Sequence, residues 1–399
     1  MTFKQLANNK CFRTQLNTER GMILFTVLLI LSLLMAAGVG AVISVQNEFR
    51  ITQNLKSGTS ALYAAEAGIE WAKEQIGNAG TNPPTLIDSS QGFASGNFSL
   101  MVVSSNKISP LSGQIAFRSN GVLASASQTV QVQITKLYDL ADGALALRGS
   151  SRSLNFGTNS LYISGQDYDP STGRPDGEAK PRPGVTLGNL GLLQQLENAL
   201  GSFQRSQIVG SDGTGAPISR SDRLPGDAVA RLANELCASA NAQTVSIPPS
   251  GNLSLSNQTW GDRTVPQLRC ITGLSQSGDA VVTGANFGGA GILVVKDAEL
   301  ILADSLRWEG LIIVTGNDIG FRVTGEANKE IVGAVLVNET GPALGPGAPL
   351  LDIQGAIRIL YSRFTLRIAA NLFPTSILAD TYVWLPFDLK QDYWRSVSQ

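Results

Sequence analysis

Apolar and polar positions change their rhythm several times along the chain. Met22 to Val45 is a run of 24 residues without a charge. As a helix it is about 36 Å long, enough to cross a hydrocarbon core of about 30 Å. A secretory signal has a shorter apolar region, about 7–15 residues, that ends at a small-residue cleavage site. Here Gln46-Asn47-Glu48 follows instead, which favours a membrane helix. From Glu48 to Ile76 the pattern becomes amphipathic. Ile51, Leu55, Leu62, Ala65, Ile69, Ala72 and Ile76 recur mostly at spacings of three, four or seven, a single apolar stripe on a helix. No proline precedes Pro83, and Gly77, Gly80 and Pro83-Pro84 end the pattern. The two parts predict one helix over 22–76, about 82 Å long. Gly38, Gly40, Gly58 and Gly68 weaken it locally, by about 1 kcal/mol each against alanine.

Further on the period shortens to two. Phe98–Val103 and Thr129–Ile134 read as strands of a small antiparallel unit over 90–140, with Ser119-Asn120-Gly121 as a hairpin turn. Residues 170–185 are rich in Pro and Gly and read as a linker inside a mixed α/β region over 141–290. That region has helical patterns at 187–205 and 224–242. From Gly291 a weak repeat appears. Gly291-Ile-Leu-Val-Val295, Gly310-Leu-Ile-Ile-Val314, Gly333-Ala-Val-Leu-Val337 and Gly355-Ala-Ile-Arg-Ile-Leu360 start 19, 23 and 22 residues apart. Second strands lie between them at Glu299–Leu302, Phe321–Thr324 and Leu350–Ile353. Leu145–Gly149, Ser153–Phe156 and Ser160–Ser164 read as earlier strands of the same kind. The spacing predicts a parallel β-solenoid with a C-terminal cap over 291–399; a β-sandwich also spaces short strands this way. The fold class is α+β: a long N-terminal helix, a small antiparallel β unit, then a β-rich C-terminal region.

Composition removes whole classes of chemistry. The 399 residues include no His. That excludes Ser-His-Asp and Cys-His catalysis, HExxH proteases and His-ligated zinc. No GxxxxGK[ST] loop occurs, and no GxGxxG follows a strand. The one SxxK, Ser104 to Lys107, lacks the SDN and KTG partners of a penicillin-binding enzyme and reads as a polar loop. Asp167 and Asp169 flank Tyr168, but the stretch lacks the glycine and terminal glutamate of an EF-hand and reads as a turn. No metal, cofactor or enzymatic activity is expected. The net charge of −1 gives no basic face for nucleic acid. Trp308, Trp384, Phe387, Tyr393 and Trp394 are candidate adhesive aromatics, and equally core plugs or a cap.

A short basic leader, then Glu19-Arg20-Gly21, a hydrophobic helix and an amphipathic extension together resemble a type IV prepilin. The match is closer to one branch, the PilX-type pilus assembly proteins. Arg20-Gly21, Met22–Val45, Thr52-Gln53-Asn54-Leu55-Lys56 and Tyr63-Ala64-Ala65-Glu66-Ala67-Gly68-Ile69-Glu70 stand in the places of that family's N-terminal motifs. The resemblance covers about residues 15–77. It implies that a membrane prepilin peptidase cuts the Gly21–Met22 bond and that Met22 becomes N-methylated. At the fifth mature position, where major pilins carry Glu, this chain has Thr26. A buried glutamate there is usually explained as pairing with a neighbour's N-terminal ammonium. Its loss leans toward a minor, initiating or tip subunit.

Lys4, Lys10, Arg13 and Arg20 precede the apolar run, while only Arg50 and Lys56 follow it closely. The positive-inside rule then puts the N-terminus in the cytoplasm, a single span in the inner membrane and the bulk in the periplasm, with the pilus tip or cell surface as the final place. Cleavage would remove four basic residues and one acidic one, taking the net charge from −1 to −4. It would also remove Cys11, leaving Cys237 and Cys270. These form a disulfide or remain two buried thiols in an oxidising compartment. The expected partners are the peptidase, other minor pilins or pseudopilins and the inner membrane. Two alternatives stay open: a large tip pseudopilin of a type II secretion system, and an unprocessed membrane-anchored surface adhesin.

Overall fold

The computed structural model describes residues 8–86, 90–93, 96–149, 152–157, 160–177, 179–273, 280–341, 349–374, 382–383 and 385–397. Helix α1 (Asn8–Asn78) begins well before Met22 and stops two residues past Ile76. It leads into an antiparallel meander of β1 (Ser90–Phe93), β2 (Gly96–Ser109), β3 (Ser112–Leu123) and β4 (Ala126–Tyr138). Ser119-Asn120-Gly121 is not a turn. It lies inside β3, opposite Val130, Thr129 and Gln128. Gly121 is there because α1 crosses it: a Cβ would collide with the Ala61 carbonyl and the Ala65 amide.

The chain then leaves this sheet. It forms β5 (Leu145–Arg148), β6 (Leu154–Phe156), β7 (Leu161–Ser164), the hairpin β8 (Tyr168–Asp169) and β9 (Arg174–Pro175), and β10 (Val185–Leu187). Helices α2 (Leu190–Ala199) and α3 (Ser202–Ser206) follow, then β11 (Ile208–Val209), β12 (Ile218–Arg220) and α4 (Gly226–Ala238). Residues 170–185 thus hold a hairpin and the entry to a strand rather than a free linker.

From there the chain winds in parallel coils: β13 (Ala242–Ser246), β14 (Asn252–Ser256), β15 (Thr259–Trp260), β16 (Gln267–Thr272), β17 (Val281–Ala285), β18 (Phe287–Lys296), β19 (Glu299–Leu302), β20 (Leu306–Gly316), β21 (Gly320–Val323), β22 (Lys329–Glu339), β23 (Leu351–Ile353) and β24 (Ile357–Tyr361). Helix α5 (Arg363–Ala370) and strand β25 (Phe387–Val397) complete it.

Register shows three faces. One runs β13, β16, the second halves of β18, β20 and β22, then β5, β10 and β12. The second runs β14-β17-β19-β21-β23-β6. The third runs β15, the first halves of β18, β20 and β22, then β24, β7 and β11. Every pairing in these faces is parallel, and the described sheets stay open. Chain order and spatial order differ. The β5–β12 coils stack on the last β22–β24 coil, and α4 carries the chain back along β22, β20, β18 and β16 to β13. Ala228, Val229, Leu232, Ala233 and Leu236 of α4 are buried. Strands covered on both sides are apolar almost throughout, as in Leu311–Val314 and Ala334–Val337.

The repeat glycines mark corners. Gly291, Gly310 and Gly333 face one another in successive coils, with φ of 126°, 130° and 148°. Each sits in mid-strand where the chain passes from one face to the next, so a boundary at 290/291 would cut through β18. A Cβ at Gly310 would strike the Gly291 carbonyl, and one at Gly333 would strike that of Gly310. Gly355 is outside this ladder, because Gly333 pairs with Tyr361 in β24. Among the described residues the C-terminal strand β25 does not cap the coils, as the sequence led us to expect: it turns away and pairs antiparallel with β4.

Gly310→Ala should destabilise the fold by about 3 kcal/mol, the sum of φ strain and a backbone collision. The thermal midpoint of the full chain in detergent should fall by about 5–10 °C. Gly177→Ala, with open space around it, should leave the midpoint unchanged.

Candidate assembly helix and its seat

Helix α1 has two halves with opposite surroundings. Met22 through Lys56 are exposed throughout, and Met22 is 70% exposed. This half is long and apolar enough to cross a membrane. From Ala61 onward one face is buried: Ala61, Ala64, Ala65, Ile69, Ala72 and Ile76. It packs on Phe98, Leu100, Ile115, Phe117, Val130, Val132 and Ile134 of β2–β4. The small residues set the distance. A Cβ at Gly68 would meet Ser119 Oγ and the Phe98 ring. Gly68 on the helix and Gly121 on the sheet therefore let two backbones approach where ordinary side chains would hold them apart. Trp71 flanks this contact, 6.1 Å from Phe98 between ring centroids.

The helix end is held by a buried cation. Lys136 Nζ donates to the carbonyls of Ile76 (2.7 Å), Gly77 (3.0 Å) and Ala79 (2.6 Å). These are carbonyls that a helix C-terminus leaves without intrahelical partners, at the negative end of its dipole. The ammonium also lies 4.9 Å from the Tyr138 ring centre and 4.3 Å from that of Phe387. Burial, with Arg223 nearby, lowers its pKa from 10.5 to about 8. Tyr138 donates to the Thr81 carbonyl at 2.6 Å, and burial raises its phenol above the ordinary range.

Next to this end lies the joint between sheet and coils. Asp139 follows β4, and Asp388 lies in β25. Arg182 bonds Asp139 through Nε at 3.0 Å and again through Nη2, and reaches Asp388 at 3.1 Å. Arg363, at the start of α5, bonds Asp139 at 3.1 Å and Asp388 at 2.8 Å. Asp167 accepts the Arg363 backbone N–H at 2.8 Å, and burial raises its carboxyl pKa. Asp169 instead closes a local turn on Ser171.

The other sequence candidates are scattered. Thr26 ties its hydroxyl back to the carbonyls of Met22 (3.0 Å) and Ile23 (2.9 Å). Gly21 and Met22 both lie within α1. Cys237 and Cys270 form a disulfide, with Cα atoms 5.6 Å apart, between the last turn of α4 and β16. Trp308 is fully buried, stacked on Phe287 at 5.7 Å. Phe387 is half-buried beneath Lys136 and Arg223, and the Tyr393 hydroxyl accepts from Gln131. Trp394 is exposed, and Trp384 lies outside the described residues. These rings do not form one platform. Lys136 and the Asp139 joint carried no sequence signal beyond polar residues at strand ends.

No family model and no curated protein matches the chain. Among solved structures it is similar to the competence-associated pilin ComZ from Thermus thermophilus, at 14% identity over 85% of this chain and 97% of that one, with a TM-score of 0.24.

Two outcomes test this seat. Gly121→Val should unseat α1 and lower the thermal midpoint by about 5 °C or more, through overpacking against the Ala61 and Ala65 backbone. The second concerns pH. Between about 8 and the unfolded value of 10.5 the unfolded chain holds the Lys136 proton and the folded chain releases it, so stability rises with pH. The midpoint should therefore climb between pH 8 and 9.5, below the usual tyrosine range, and Lys136→Met should flatten that climb.

Proposed function

We propose that the chain is a pilin-like minor subunit of a type IV pilus, of the PilX type, acting in the tip or initiation complex. The observation that carries this reading is the division of α1. Its first half is apolar and exposed, and its second half is seated by small residues on an antiparallel sheet. An exposed apolar half needs either a bilayer or neighbouring helices of the same kind. The leader junction at Arg20-Gly21 and the segment Ala64–Gly68 support the same family. On this reading a prepilin peptidase cuts after Gly21, Met22 is methylated, and the N-terminus faces the cytoplasm before cleavage. Other minor pilins are the partners.

Thr26 supports a tip place. Its hydroxyl is satisfied within its own helix, so it offers no charge to a neighbour's ammonium. We read the three-faced parallel coils as a β-solenoid carried outward by α1, with a structural rather than an enzymatic role. One observation favours a second reading, an unprocessed anchored binding protein: α1 runs unbroken through Gly21.

N-terminal mass spectrometry of membrane-extracted protein, with and without a co-expressed prepilin peptidase, separates the two. The expected result is a peptidase-dependent start at methyl-Met22. A start at Met1 under both conditions sinks the pilin route.

A further inference from the structure

The two ends of the coiled stack are finished differently. At one end α2 takes the second-face place beyond β6 and touches β12, α3 packs beside β11, and the short strand β12, which carries Arg220, ends the first face. At the other end β13, β14 and β15 make the outermost coil. Among the described residues no element pairs with the outer edges of β13 and β14. Open strand edges in natural proteins are normally blunted by charges, prolines or a covering element. This one lacks those devices. From Leu236 to Gly261, 26 residues, there is no Asp, Glu, Lys or Arg. Pro248 and Pro249 lie in the corner between β13 and β14, not in a strand. Gln243, Thr244 and Ser246 of β13 and Asn252, Ser254 and Ser256 of β14 are exposed. The Cys237–Cys270 disulfide fixes the root of this coil to β16, so the edge is held ready rather than frayed.

We infer that this end docks a second copy of the chain, end to end, with β13 antiparallel to its own image. In a two-fold contact each residue near the axis meets its own kind. Any charge there would face a like charge, which opposes strand pairing. An edge of Gln, Asn, Ser and Thr offers donors and acceptors to an identical edge, and its free backbone groups supply the ladder. The opposite end offers a poorer partner: beside α2 and α3 its only unpaired first-face edge is β12, three residues long and carrying Arg220. A two-fold contact through β13 is closed by its symmetry: it makes pairs and not fibres. It does not depend on processing at Gly21 or on filament assembly.

The test uses the full chain at one copy per lipid nanodisc, which keeps α1 helices apart, with disc pairing read by analytical ultracentrifugation. Wild-type discs should pair. Thr244→Lys should weaken pairing by about tenfold or more, from the like charges it sets face to face. Mixing Thr244→Lys discs with Thr244→Glu discs should restore it, which also shows that the variants fold. Wild-type discs that stay single at concentrations on the order of 100 μM, or pairing that Thr244→Lys leaves intact, would overturn the inference.

Discussion

Two arginines from the coils hold both crossings of the chain between its two parts. Asp139 stands where the chain leaves the antiparallel sheet, and Asp388 where it returns; Arg182 and Arg363 each bind both. A buried ion pair contributes little net stability, because desolvation offsets much of the attraction. Its value here is geometric. Removing either carboxylate would leave buried guanidinium charge uncompensated, so the two crossings are kept side by side. The sheet that seats α1 and the coils of the stack then hang from one joint, and Lys136 closes the helix end beside it.

Glycine does comparable work by omission. At Gly68 and Gly121 the missing side chain brings a helix onto a sheet. At Gly291, Gly310 and Gly333 it lets a strand turn a corner without ending. The same residue type solves a packing problem in one part and a backbone problem in the other. This is why the Ala-rich helix segment and the Gly-led repeat were both conspicuous as patterns while their reasons were not.

Legibility followed locality. The long helix and two strands of the meander announced themselves through periods of 3.6 and 2 over a few residues, and the coil strands from Gly291 onward through a glycine-led repeat. Three features did not. Gly121 looked like a turn because Asn-Gly is a turn signal, and only the crossing of α1 shows what it is for. β25 looked like the end of the coils because nothing in Phe387–Val397 says that its partner is β4, some 250 residues earlier. Arg182, in a Pro-rich stretch, gave no sign of facing Asp139 and Asp388. Each depends on a contact between distant segments, and composition within a window carries no trace of one.

The return of β25 to β4 also sets an order in time. The sheet under α1 lacks its fifth strand until every coil between Asp139 and Phe387 has left the ribosome. Helix α1 and the strands β2–β4 that seat it are made well before β25 can join their sheet. Completion of the coiled stack thus becomes a checkpoint for the sheet beneath α1. A chain whose coils have failed to wind cannot bring β25 home, and it leaves the β4 edge of the seating sheet open.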